Sequence, residues 1–340
     1  MCTDLRLIRL SDLHVSARTL DFAFETQSQV EIVPRGQQWQ SAVADGALSW
    51  SNHLGFVALN GLGFPDYFAD GLNEAGLSVG TLWLPETQLP AAAPAGGDSA
   101  IDFLSLAGWL LGTCASVEEV KAALPGVRVW NPPLRDLWPA ARPLPKGLQG
   151  LADWAIPEHL AIHDAHGHDL GVEFLDGQML MHDNPAGVLT NSPTFDWHLT
   201  NLRNYVGLTN VEAQPYTLSG NAVTPTGNGT GLLGMPGDVT PPSRFVRATV
   251  MAQTVTAAAD ARAAINQAFH CLNLVSVPRH LAASGDYTQW SVARDHDNAV
   301  LYVRAYDSWA TDAHDLAALE VTVEGLRRTH PMPAVTTPNG

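Results

Sequence analysis

Strand-like alternation at both ends of the chain, with helical periodicity lying between, limits the fold more than any other feature of this sequence. Leu5 and Leu7 alternate with polar residues, Ser11–Asp12 supply turn chemistry, and Val15 to Phe24 extend again. Toward the other end, YTQWSVARDHDNAVLYVRAYD (287–307) reads as a hairpin turning at Asp295–Asn298. LAIHDAHGHDLGVEFLDGQMLMHD (160–183) reads as another, turning at Ala165–Gly167. GFVALNG (55–61) and AGLSVGTLWLP (75–85) are further strands. Helices are expected from Ala100 to Leu111 and from Val117 to Leu124, the latter opened by the capping box Ser116/Glu119. Two consecutive helices should fill Ser243 to His270. This arrangement points to an α+β layered architecture rather than alternating βα units. No repeat or clean boundary divides the chain, so residues 2–330 are expected to form one domain. Its long excursions fall at 85–98 and 213–240, and the tail from Pro331 (PMPAVTTPNG) should be disordered.

Composition excludes several classes of function. No apolar run approaches the roughly 18 residues a membrane span needs. The first twenty residues lack the hydrophobic core of a secretory signal, so a cytoplasmic location is expected. A net charge of −16 argues against a nucleic-acid partner, which would demand clustered cations; the acidity reads as solubility. Three cysteines without a CxxC fit a reducing compartment and no disulfide framework. Cys114 and Cys271 lie in apolar segments and read as buried structural thiols. That leaves Cys2.

Aminopeptidases remove an initiator methionine when the next residue is small, and cysteine qualifies. Loss of Met1 would put a thiol and an α-amine on one residue. Their ordinary pKa values are roughly 8.5 and 8, so both are partly in reactive form near neutrality. The amine can then take the thiol proton without any histidine. Arg18 and Asp21 lie in the second strand, HVSARTLDF, which the first turn folds back beside residue 2. The arginine would favour thiolate, and the aspartate could hold the amine. Residues three apart face opposite sides of a regular strand. A shared task for these two therefore calls for a bulge or a strand end between them; the alternative is an ordinary surface ion pair.

MCT followed by SARTLDF, ADGLNEAGL (69–77), VLTNSPTFDWHLTNLRNYVGL (188–208), GLLGMPGDVTPPSRFVRA (231–248) and the final hairpin together resemble the choloylglycine hydrolase family. The segments run in family order from residue 2 to about 325. The resemblance implies a four-layer αββα N-terminal-nucleophile hydrolase sandwich of two antiparallel sheets flanked by helices. It also implies linear-amide hydrolysis, with Cys2 as nucleophile and Arg18 and Asp21 beside it. Asn191 in LTNSP matches the oxyanion-hole asparagine, and Arg244 in PPSRF matches a second active-site arginine. The family's other oxyanion donor, a backbone N–H, falls on Trp83. Bile salt hydrolases of the family carry asparagine there, and penicillin acylases tyrosine or tryptophan. Trp83 and Phe22 therefore imply an aromatic substrate-binding pocket suited to phenoxyacetyl or fatty acyl amides, including N-acyl-homoserine lactones. Bile salt hydrolysis is the alternative. No cofactor and no metal is implied, and the stretch near 211–231 matches a loop that intertwines subunits in a homotetramer.

Other motifs carry less. Gly76–Gly80 fits G-x-S-x-G, but the nucleophile elbow needs a helix after the serine, and TLWLP follows instead. His163, His166 and His168 with Asp164 and Asp169 straddle a predicted turn and lack a second ligand group. GNGTGLLG (227–234) lacks the strand and Lys of a phosphate loop. A catalytically silent binding protein on the same fold would be expected to have lost Cys2 first.

Overall fold

A computed structural model describes residues 1–10, 12–42, 46–62, 64–89, 99–137, 144, 149–150 and 152–334. Two antiparallel sheets form its centre. The first contains six strands in the order Val188–Leu189, Cys2–Arg6, Val15–Phe22, Tyr287–Asp295, Val300–Ala305 and Asp312–Asp315. The second contains eight: Gln178–Asp183, Asp169–Leu175, Glu158–His163, Ser78–Trp83, Phe64–Asn73, Phe56–Gly61, Val30–Val33 and Arg328–His330. The N-terminal strands and the final hairpin, the two ends of the chain, thus lie in one sheet.

Helices cover the outer faces. Pro241–Thr254 and Ala261–Asn273 lie on the first sheet, where Phe245, Ala248, Ile265 and Phe269 join a core with Leu5 and Ala17. Phe103–Thr113 lies on the second, packing Leu106, Leu110 and Leu111 with Phe56, Phe68 and Val79. Burial of such side chains supplies roughly 1.5–3 kcal/mol each. The result is helix, sheet, sheet, helix, the αββα sandwich. Among the described residues, no helix is long and apolar enough to cross a membrane.

Local differences from the sequence reading have local causes. The 160–183 segment forms three strands because Asp176 and Gly177, both at positive φ, make a second turn that DGQ chemistry permits. Ala100–Asp102 is a short strand, and the helix starts only at Phe103, where Asp102 accepts from the Ser105 N–H. The 213–240 excursion carries a small exposed hairpin, Tyr216–Leu218 with Asn221–Val223. In the 85–98 excursion, residues 90–98 lie outside the described residues, as do residue 11 of the predicted first turn and 335–340 of the tail. Ser78 of the G-x-S-x-G match opens a buried strand, and the described residues 84–89 that follow that strand are not helical. Cys114 and Cys271 are buried, and burial pushes each thiol up to about 11.

Asn73, in the ADGLNEAGL segment, is a structural staple. Its Nδ2 donates to the carbonyls of Leu111 (2.9 Å) and Cys114 (2.7 Å) at the end of the Phe103–Thr113 helix. Its Oδ1 accepts from the N–H groups of Ala75 and Leu77, closing the tight turn between two strands. One fully buried amide thus joins a turn to a helix end. Asn73→Ala should therefore cost about 2–4 kcal/mol in urea unfolding, as unsatisfied buried carbonyls are left behind. A loss below about 0.5 kcal/mol would contradict that role.

Candidate active site

Register on the first sheet decides what meets the Cys2 sulfur. Cys2 pairs with Leu20 and Asp4 with Arg18, so these four side chains share the face turned toward the second sheet. Arg18 is completely buried there. Its Nη2 lies 3.6 Å from Cys2 Sγ and donates to the Thr81 carbonyl, while Nη1 donates to the Ala69 carbonyl and sits 3.1 Å from Asp70. Burial alone would lower the guanidinium's proton affinity. The charges on Cys2, Asp70 and Asp4 outweigh it, so Arg18 is held above the usual arginine range. This cation is fixed where it can stabilise negative charge on sulfur.

Asp21 occupies the opposite face with Thr3 and Thr19. The strand Val15–Phe22 is unbroken between Arg18 and Asp21, so the bulge or strand end that a shared task seemed to require is absent. It is unnecessary because the two residues approach Cys2 from different sides. The register irregularity sits on the neighbouring strand, between Thr288 and Trp290. Nor are the two a surface ion pair, since both are fully buried and Arg18 bonds Asp70 instead. Asp21 Oδ1 accepts from Thr288 at 2.6 Å, whereas Oδ2 is buried without a hydrogen-bond partner among the described residues. Desolvation raises this carboxyl's pKa above the usual aspartate value, partly offset by Arg244 and the chain terminus.

Asn191 is reached from a third direction, just after the Val188–Leu189 strand and before the cis Ser192–Pro193 bond. Its Oδ1 accepts from the Cys2 N–H and from Arg244 Nη2, each at 2.7 Å. Two donors on that oxygen fix the amide orientation, leaving Nδ2 as the donor to the Trp83 carbonyl at 2.7 Å. His198 contacts the Asn191 carbonyl at 2.8 Å and stacks on Phe245. Trp83 faces the same side. Leu84 N–H donates to Pro157 across the neighbouring strand, and alternate residues of an antiparallel ladder face opposite edges. The Trp83 N–H therefore points with its carbonyl toward Asn191.

The PGDVTPPSRF segment explains how Arg244 is aimed. Asp238 accepts from Thr240 N–H and from the Thr240 and Ser243 hydroxyls, which brings its pKa down to about 2. Arg247 donates back to the Pro236 and Asp238 carbonyls. Pro241 and Pro242 start the helix with preset φ angles. From its first turn Arg244 donates to the Cys2 carbonyl and to Thr3 Oγ1, and lies 3.9 Å from Asp21. All seven site residues expected from sequence, Cys2, Arg18, Asp21, Phe22, Trp83, Asn191 and Arg244, thus gather around the start of one strand.

A pocket opens at the sulfur, lined by Leu20, Phe22, Leu62, Trp83, Leu134 and Ile156. Phe22 meets Trp83 edge-on at 5.6 Å and Phe24 at 4.7 Å. Sequence reasoning missed the pocket's polar floor. Tyr67 donates to both Glu158 carboxylate oxygens at 2.7 Å and lies 3.2 Å from Thr81. Burial raises the Glu158 carboxyl. Neither residue has a local signature; cross-strand pairing alone sets Glu158 beside Trp83. Asp70 was within reach, since it stands in the ADG triplet already quoted.

Known proteins bear on this arrangement. The family profile described as linear amide C–N hydrolases, choloylglycine hydrolase family, matches residues 2–327. A bile salt hydrolase/transferase of Clostridium perfringens is 30% identical over 324 residues, covering 93% of this chain and 92% of that protein. A penicillin V acylase of Pectobacterium atrosepticum is 28% identical over 193 residues, covering 56% of this chain and 48% of that protein. Among solved structures, a C2A mutant of the conjugated bile acid hydrolase of C. perfringens superposes with TM-score 0.82 at 27% identity, covering 100% and 99% of the two chains. The penicillin V acylase of Agrobacterium tumefaciens shares the fold with TM-score 0.78 at 23% identity, covering 96% and 90%.

If the Arg18 cation stabilises negative sulfur, Arg18→Gln should slow iodoacetamide alkylation of Cys2 at neutral pH by about tenfold. Peptide mass spectrometry reads the rate. An unchanged rate in a folded variant would remove Arg18 from the chemistry.

Proposed function

The chain belongs to the choloylglycine hydrolase family of linear amide C–N hydrolases, and from that premise we propose that Cys2, freed by loss of Met1, is its nucleophile. The observation that carries this reading is the convergence of Arg18, Asn191 and Arg244 on residue 2, with Asp21 Oδ2 buried beside Arg244 and without a hydrogen bond among the described residues. The Cys2 nitrogen already touches Asn191, and a newly exposed ammonium would supply buried Asp21 with a charged donor.

In the proposed reaction the α-amine accepts the thiol proton and the sulfur attacks the amide carbonyl. Trp83 N–H and Asn191 Nδ2 hold the resulting oxyanion, each contributing roughly 3–4 kcal/mol of transition-state stabilisation. The protonated amine delivers its proton to the leaving nitrogen as the C–N bond breaks. Water then attacks the thioester, assisted by the same amine, releasing the acid and restoring the thiol. Arg244 supports charge through Asn191, and no step calls on a metal or organic cofactor.

For substrate we propose a penicillin V acylase-like preference for phenoxyacetyl or fatty acyl amides, with N-acyl-homoserine lactones as natural candidates. The Phe22–Trp83–Phe24 cluster supports an aromatic, apolar acyl site. A second reading, hydrolysis of glycine- or taurine-conjugated bile acids, is favoured by the full-length similarity to bile salt hydrolases. The exposed hairpin of the 213–240 excursion, bearing Tyr216 and Leu218, supports self-association as a homotetramer.

Intact mass should show complete loss of Met1, and Cys2→Ala should abolish turnover while preserving the circular dichroism spectrum; retained activity would place the nucleophile elsewhere. Across penicillin V, penicillin G, glycocholate, taurocholate and short- and long-chain acyl-homoserine lactones, the aryl and alkyl acyl amides should be turned over fastest. Glycocholate far ahead of penicillin V would establish the second reading.

A further inference from the structure

The charged contacts do not stop at Arg18. Its counter-ion Asp70 is shared with Arg294, whose Nε lies 3.0 Å from Asp70 Oδ1 and whose Nη2 lies 2.9 Å from Asp4 Oδ2. Asp4 Oδ1 is 2.8 Å from His163 Nε2, and His163 Nδ1 is 2.6 Å from Asp169 Oδ1. Arg6 closes the row with Nε and Nη2 both 2.6 Å from the Asp169 carboxylate. Signs alternate at every step from the sulfur to the far edge of the sheets. Gly80 leaves the space: a Cβ there would lie 3.1 Å from Asp70 Oδ2 and 3.2 Å from Asp4 Oδ2.

Both His163 ring nitrogens face carboxylate oxygens, which only accept, so the doubly protonated ring alone satisfies both contacts. Here lies the explanation of the histidine cluster in HDAHGHD. Its first member is a buried cation between two aspartates, while Asp164 accepts from the Val117, His166 and His168 backbone amides.

We propose that His163 is a positioning residue for amide hydrolysis: as an imidazolium it balances Asp4, and through Arg294 and Asp70 it keeps Arg18 on the Cys2 sulfur. The proposal rests on Cys2 being the nucleophile. If His163 loses its proton, Asp4 draws more strongly on Arg294. Asp70, sharing less of Arg294, then draws Arg18 away from the sulfur. Burial opposes the charge on His163, but Asp4 and Asp169 prevail and raise its pKa to about 9. The other groups around it are Arg6, Arg294 and His296, the last kept neutral down to about 3 by burial and by the charge on His163. His296 is engaged by Ser16 and the Gly76 carbonyl.

The test is the pH profile of kcat/KM with the best amide of the substrate panel. Wild type should show a descending limb near about 9. Asp169→Asn removes one of two carboxylates holding the proton and should move the limb down by about one pH unit. His163→Gln should lack the limb and lose about tenfold in kcat at all pH values, with KM little changed. A merely structural role would lower activity without moving the limb. An unchanged limb in both variants overturns the proposal while leaving Cys2 as nucleophile, whereas retained turnover in Cys2→Ala would sink the parent reading. Should His163→Gln fail to fold, Asp169→Asn decides. If both fail, 15N NMR of the wild-type histidines decides: an imidazolium at His163 that persists to the limb sustains the proposal, and a neutral ring at neutral pH overturns it.

Discussion

A fully buried guanidinium 3.6 Å from a sulfur is the contact on which the rest of the structure depends. Taking such a charge out of water costs several kcal/mol unless acceptors and counter-charges surround it. Arg18 meets that requirement with two carbonyls and Asp70 from the second sheet, and with the cysteine itself. The layer between the sheets is accordingly polar at its centre and apolar around it. Much of the architecture can be understood as what is needed to keep that cation in place: Gly80 stripped of a side chain, Asp70 shared with Arg294, and Asp4 paired across from Arg18.

The two faces of the first sheet divide the labour. The inward face gives Cys2 its cation and its apolar pocket. The outward face carries Asp21 and Thr3, and there Arg244 donates to the Cys2 carbonyl and to Thr3 while lying beside Asp21. Cys2 opens its strand, so its side chain belongs to the inward face while its N–H donates to Asn191. Asn191 bridges the two by accepting from both the Cys2 nitrogen and Arg244.

Much of this was legible in the sequence. The strands at both ends and the paired late helices followed from sequence periodicity, and the resemblance of long segments picked out seven residues that the fold gathers at the start of one strand. What escaped was set by contacts between distant segments. Parity within a strand made a shared task for Arg18 and Asp21 seem to need a bulge; in the fold Arg18 reaches the Cys2 sulfur from the inward face, while Asp21 lies on the outward face beside Arg244. The extra strand at Gln178–Asp183 was hidden in a continuous alternating run broken only by Asp176–Gly177. Glu158 and Tyr67 come together from strands 91 residues apart, with no local pattern to mark either. His163 read as one of several solvated histidines until its strand placed it between Asp4 and Asp169.

The central claim, that the first residue of the processed chain carries the acyl group, is tested most directly by trapping the intermediate. Acid quenching during turnover of the fastest amide, followed by tandem mass spectrometry, should locate a thioester on Cys2 of a chain lacking Met1. An acyl group found on another residue, or turnover by chains that still carry Met1, would contradict the account.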